Sequence, residues 1–129
     1  MIAVDASATV HLLLGTSPQG EWVAEQLADN DVHVPHLLDV EVANALRNLA
    51  ARAVVSTSRA RAALESLYDL DVVRHPHLAL LGHAWRLRAN LTAYDATYVG
   101  LAELLGVPLV TTDGRLSRAP GVRATILTP

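Results

Sequence analysis

Apolar residues change their period several times along this chain, and each change marks an element. Ile2-Ala3-Val4 is a short apolar run that ends at Asp5. A helix from about Ala6 to Leu14 follows, with Asp5 placed to cap it and Gly15 to end it. Gln19 to Ala28 is a second helix, with Trp22, Val23 and Leu27 on one face. Val32-His33-Val34-Pro35 reads as the next strand. Leu37 to Ala53 is a long helix whose apolar stripe is Leu38, Val42, Ala45, Leu46 and Leu49. Thr57 to Leu67 is another, capped by Thr57 or Ser58. Asp71 to Arg74 is a brief strand, His75-Pro76-His77 a turn, and Leu78 to Ala89 a helix carrying Trp85.

The stretch from Leu91 to Leu116 is the most structured in its signals. Thr92 can cap a helix in which Tyr94, Tyr98, Leu101, Ala102 and Leu105 recur at helical spacing. Gly106 and Pro108 end it. Val107 to Val110 is apolar throughout, as expected of a strand covered on both faces. Thr111-Thr112-Asp113-Gly114 then follows at the strand's C-terminal end, and a last strand runs from about Val122 to Leu127. Strands alternating with helices imply a parallel α/β sheet with helices on both faces. The 129 residues fit one domain, residues 1–129, without an internal repeat or linker.

Composition narrows the chemistry. Cysteine is absent, which removes disulfides, thiolate metal sites and a cysteine nucleophile. Lysine is absent too, so there is no phosphate-binding P-loop and no Schiff base. No apolar run approaches the ~20 residues that span a membrane. The first residues show no basic leader segment, so a cytoplasmic location is expected. The net charge of −3 offers nucleic acid no overall attraction. Arg47, Arg52, Arg59, Arg61 and Arg74 lie close together in the chain, however, and guanidinium grips phosphate bidentately. A local basic patch and a merely solvated surface both remain open. The six histidines lack the spacing of a metal motif. Aromatics are sparse, so base stacking is not expected to dominate recognition. Trp22 and Trp85 read as core or interface packing.

Four acids stand out by position. Asp5 and Asp113 each follow a predicted strand, Asp95 opens a helix, and Glu41 lies in the first turns of the long helix after the second strand. In a parallel sheet all four reach the C-terminal edge, where open α/β sheets bind ligands. Converging carboxylates raise one another's pKa unless a cation neutralises them, and an all-oxygen donor set suits Mg²⁺ or Mn²⁺. Each acid also has a local role: Asp5 as an N-cap, Asp95 in a capping box, Asp113 in a turn, Glu41 on a solvated helix face. Those roles do not exclude metal binding. Asn44 follows Glu41 on the same helix face and could hold its rotamer. Thr111, in preference to Thr112, and Ser7 offer hydroxyls beside the acids.

Val4-Asp5-Ala6-Ser7-Ala8, Glu41-Val42-Ala43-Asn44-Ala45, Leu91-Thr92-Ala93-Tyr94-Asp95-Ala96 and Leu109-Val110-Thr111-Thr112-Asp113 together resemble the motifs of PIN-domain ribonucleases. More narrowly, the chain is similar to the VapC-type toxins of bacterial toxin–antitoxin pairs. The resemblance spans nearly the whole chain, with the motifs in order. It implies a three-layer α/β/α sandwich and an endoribonuclease that uses Mg²⁺, with Mn²⁺ able to substitute. The family's acids map onto Asp5, Glu41, Asp95 and Asp113, its strand-end hydroxyl onto Thr111 and its helix amide onto Asn44. It implies a homodimer, a VapB-type antitoxin as partner, and RNA products with 5′-phosphate and 3′-hydroxyl ends. Arg47, Arg52 and Arg59 are then candidates for RNA contact.

Rival readings are weaker. An aspartyl phosphatase wants a second acid where Ser7 stands, and it wants a lysine. A receiver domain fails for the same missing lysine. A housekeeping PIN nuclease for RNA maturation and a non-catalytic PIN-like binding module are the alternatives that persist.

Overall fold

The computed structural model describes residues 1–15 and 17–129. Five strands, β1 (Ile2–Val4), β2 (Val32–Pro35), β3 (Val73–His75), β4 (Leu109–Val110) and β5 (Ile126–Leu127), form one sheet in the order β3-β2-β1-β4-β5. Every pairing is parallel, with Ile2 opposite Val32 and Val4 opposite Val110. The chain builds outward from β1 in one direction through β2 and β3, then in the other through β4 and β5. The strand order therefore reverses between β1 and β4. That switch point opens a crevice at the C-terminal strand ends, where Asp5 and Thr111 follow directly.

Helices α1 (Ala6–Leu14), α2 (Pro18–Leu27), α3 (Leu37–Ala51) and α4 (Thr57–Tyr68) pack among themselves. Helix α6 (Ala93–Leu105) lies on β1, β2 and β4 and carries the short α5 (Leu81–Arg86) on its outside. A single turn, α7 (Arg115–Arg118), packs near β5. The result is the expected α/β/α sandwich with a parallel sheet. No helix is long and apolar enough to cross a membrane among the described residues.

The local signals explain the boundaries. Asp5 accepts from Ala8 N to start α1, and Gly15 ends it at φ 70°. Ser17 caps α2 and Pro18 takes its first position, where a missing N–H costs nothing. Thr92 caps α6, and Gly106 ends it at φ 66°. Seven consecutive residues of α6, Ala96 to Ala102, are buried, because the sheet covers one side and α5 the other. Gly100 permits that approach: a Cβ there would stand 2.8 Å from the His83 Cβ.

Several elements differ from the sequence expectation. β3 is displaced to Val73–His75, because its ladder is set by His33 to Pro35 of β2, and His75 belongs to the strand rather than to the turn. α4 is capped by Ser56, whose hydroxyl accepts from Arg59 N, not by Thr57 or Ser58. The segment after Leu78 is a 3-10 turn followed by α5, and the helix stops at Arg86, whose side chain reaches Glu103 and the Gly121 carbonyl. Leu80, Ala84 and Leu87 are its buried face, so Trp85 is exposed and stacked under Arg88 rather than in the core. Tyr94 is likewise exposed while Tyr98 is buried. The strands at 107–110 and 122–127 shorten to their last two residues.

Candidate active site

Asp5 is the centre of a closed hydrogen-bond circuit at the switch point. Its Oδ1 accepts from Ala8 N at 2.9 Å and from the Ser7 hydroxyl at 2.7 Å. Its Oδ2 accepts from the Thr111 hydroxyl at 2.5 Å. Ser7 Oγ in turn accepts from Thr112 N, and Thr111 Oγ1 from Asp113 N. Both hydroxyl protons are thus spent on Asp5, so the 3.2 Å contact between the two hydroxyl oxygens holds no proton of its own. The circuit ties the start of α1 to the end of β4. Ser7 and Thr111, rather than Thr112, are the hydroxyls that hold the carboxylate.

Glu41 and Asp95 stand within each other's field and that of Asp5. Burial is the main cause that lifts the carboxyl of Asp5 above the ordinary carboxylate value, against three hydrogen bonds that oppose it, with the charge of Asp95 adding to the rise. Glu41 is lifted by burial and then by Asp95 and Asp5. Asp95 is lifted by burial and then by Asp113, with Arg115 opposing. Asp113 behaves differently. The Arg115 guanidinium grips both its oxygens and holds its carboxyl below the ordinary value.

Two atoms here are buried without a hydrogen-bond partner: Glu41 Oε1 and the Tyr98 hydroxyl. The phenol stands close enough to Glu41 to lower its carboxyl, yet outside hydrogen-bond geometry. Leaving such a group unpaired costs about 1–3 kcal/mol.

These residues suit a divalent cation by their chemistry. All donors are oxygens, three carboxyls repel one another, and a buried carboxylate oxygen lacks a partner. In this arrangement no three His, Asp or Glu groups among the described residues stand close enough to chelate one ion. Asp113, turned onto Arg115, adds to the lift of Asp95 but not to that of Asp5 or Glu41.

Two clefts meet the acids. A groove of about 630 Å³ is lined by Ser7 and Glu41, and by Ala45, Asn48, Arg52 and Arg59 farther along. Glu41, Ala45, Asn48 and Arg52 recur at helical spacing on one side of α3. Asn44 is exposed and outside that lining, so Asn48 is the amide that shares the groove with Glu41. Arg47 is exposed and donates to Asn48 Oδ1. A smaller cleft of about 220 Å³ is lined by Thr92, Asp95 and Arg115. Three histidines are engaged elsewhere, His33 meeting His75 at 2.8 Å and His77 Nε2 accepting from Leu37 N at the start of α3, whereas His11 lines the larger groove.

Sequence reasoning passed over Arg115, Asn48 and the hydroxyl of Tyr98. Arg115 follows Asp113 by two residues across a glycine, a spacing that lets the side chain fold back. Tyr98 follows Asp95 by three on a helix, which puts both on one face.

Comparison with known proteins agrees with this geometry. The PIN domain family model matches residues 2–122. Ribonuclease VapC9 of Mycobacterium tuberculosis is 45% identical over 91% of this chain and 89% of its own. Ribonuclease VapC1 of the same organism is 44% identical over 95% of this chain and 93% of its own. The solved structure of VapBC2 from Rickettsia felis, bound to a DNA fragment from its promoter, superposes with a TM-score of 0.72 at 13% identity, over 100% of this chain and 99% of the other. At that identity it speaks for the fold alone. Sheet order, strand-end acids and relatedness over nearly the whole length converge: the chain belongs to the VapC ribonucleases of the PIN-domain family.

Proposed function

We propose that residues 1–129 act as one nuclease domain, a Mg²⁺-dependent endoribonuclease toxin of a toxin–antitoxin pair, with Mn²⁺ able to substitute. PIN-domain ribonucleases generally need a divalent metal. Asp5, Glu41, Asp95 and Asp113 would hold the cation, and the observation that carries this reading is the gathering of Asp5, Glu41 and Asp95, with Asp95 lifting the other two, around a buried, unpartnered carboxylate oxygen. A divalent cation held there would supply Lewis acidity toward a water and offset charge on the phosphodiester.

The chain's own residues supply position. Ser7 and Thr111 lock the Asp5 carboxylate in one orientation at the strand end. Thr92 fixes the first turn of α6 and with it Asp95. Asp113 becomes available as a ligand only when Arg115 releases it, and the freed guanidinium can then pair with a phosphate. Arg52 and Arg59 line the groove leading from Glu41 and suit the backbone of a single strand, with Arg47 at its rim and Asn44 outside it. On this reading the toxin acts in the cytoplasm as a homodimer and is held inactive by a VapB-type antitoxin, in keeping with its relatedness to the VapC ribonucleases.

The test is cleavage of total RNA by purified protein with Mg²⁺, with Mn²⁺ and with EDTA, beside Asp95→Ala. Discrete metal-dependent cuts, lost in the variant, are expected. No cleavage under either metal by folded protein would overturn the reading. In cells, expression of the chain alone should arrest growth and co-expression of its antitoxin should restore it. Undisturbed growth would instead favour a housekeeping nuclease.

A further inference from the structure

Tyr98 has the largest of the fully buried side chains, and its ring is part of the core where α6 packs on β1 and β2. Packing alone explains the ring but not the hydroxyl. That hydroxyl ends among Glu41, Asp5 and Asp95 and has no hydrogen-bond partner. Glu41 Oε1, on one of those three acids, is buried and also unpartnered. A phenylalanine would fill the same space without an orphaned donor, and a buried donor and a buried acceptor left unpaired on two interacting residues are a contact waiting to close. Tyr98 and Asp95 share one face of α6, so the donor stands on the same rigid element as a second acid of the site.

We propose that Tyr98 is the positioning residue of Glu41: its O–H donates to the inward oxygen Oε1 and leaves the other carboxylate oxygen to face the cation. The phenol touches neither RNA nor metal and acts only through Glu41. This rests on the reading of the four acids as a divalent-cation site.

The experiment follows thermal unfolding of wild type, Tyr98→Phe, Glu41→Gln and the double variant in EDTA and across a Mn²⁺ titration, with cleavage measured in parallel. Tyr98→Phe should unfold in EDTA no lower than wild type, because it removes an unpaired buried hydroxyl. Its half-saturating Mn²⁺ concentration should rise about fivefold, and cleavage should recover at high Mn²⁺. The double variant should need no more Mn²⁺ than Glu41→Gln alone, since the carboxylate that the phenol turns toward the cation is gone. A Tyr98→Phe protein that is less stable in EDTA but saturates at the wild-type Mn²⁺ concentration would show a purely structural tyrosine and overturn the proposal. So would additive effects in the double variant. A wild-type protein that gains no stability from Mn²⁺ would overturn the cation site itself, and is told apart by needing no variant to see it.

Discussion

Asp5 carries the most constrained chemistry in the molecule. Its carboxyl is lifted above the ordinary carboxylate value by burial, so without metal the charged form costs more in the fold than in the unfolded chain. The folded protein then binds more protons than the unfolded chain between the ordinary carboxylate value and the lifted one. Stability in chelator therefore falls as pH rises through that window and levels off above it. Asp5→Asn keeps the acceptor for Ala8 and Ser7, and the Thr111 hydroxyl can turn from donor to acceptor. The variant should lose cleavage on the order of 100-fold or more. In EDTA at neutral pH it should be more stable by about 1 kcal/mol. That gain should shrink as the pH is lowered into the window where wild-type Asp5 takes up its proton. Thermal melts from pH 8 to 4 check the sign, and a gain that grows towards acid would contradict it.

Caps and glycines decide where the acids stand at the scale of elements. Thr92 Oγ1 accepts from Asp95 N at 3.2 Å, so the residue that starts α6 also orients its first acid. Thr92→Ala should cost about 1 kcal/mol, seen as a fall in Tm of roughly 3–5 °C, and Thr92→Ser should recover most of it. The same substitution should weaken Mn²⁺ binding modestly through Asp95. These caps were readable in advance, since a cap depends on residues two or three positions apart. The end of α5 was not, because Arg86 is drawn away by Glu103 and by the Gly121 carbonyl from a distant loop.

The whole molecule sets the path for substrate. Parallel pairing brings the ends of β1 and β4 side by side, and the groove continues past Glu41 to Arg52. Arg52→Ala should raise KM for single-stranded RNA severalfold with kcat nearly unchanged, and should reduce the salt slope of binding by about one. Arg47→Ala should do less, since Arg47 is engaged with Asn48 at the rim. Binding measured across salt concentrations separates the two; equal effects would argue against a directed groove.

The sequence by itself determined the alternation of strands and helices, the parallel sheet, and the strand-end or first-turn positions of Asp5, Glu41, Asp95 and Asp113. Those follow from hydrophobic period, caps and left-handed glycines, all of which act between near neighbours in the chain. It also singled out Thr111 over Thr112, because alternate side chains of a strand point to opposite faces. Only the tertiary structure decided that Asp113 is gripped by Arg115, that Asn48 and not Asn44 shares the groove with Glu41, and that Tyr98 goes inward while Tyr94 stays outside. Those outcomes turn on which helix covers which strand and on the rotation of each helix about its axis. They are set by burial and by partners far apart in sequence, and no local pattern encodes them.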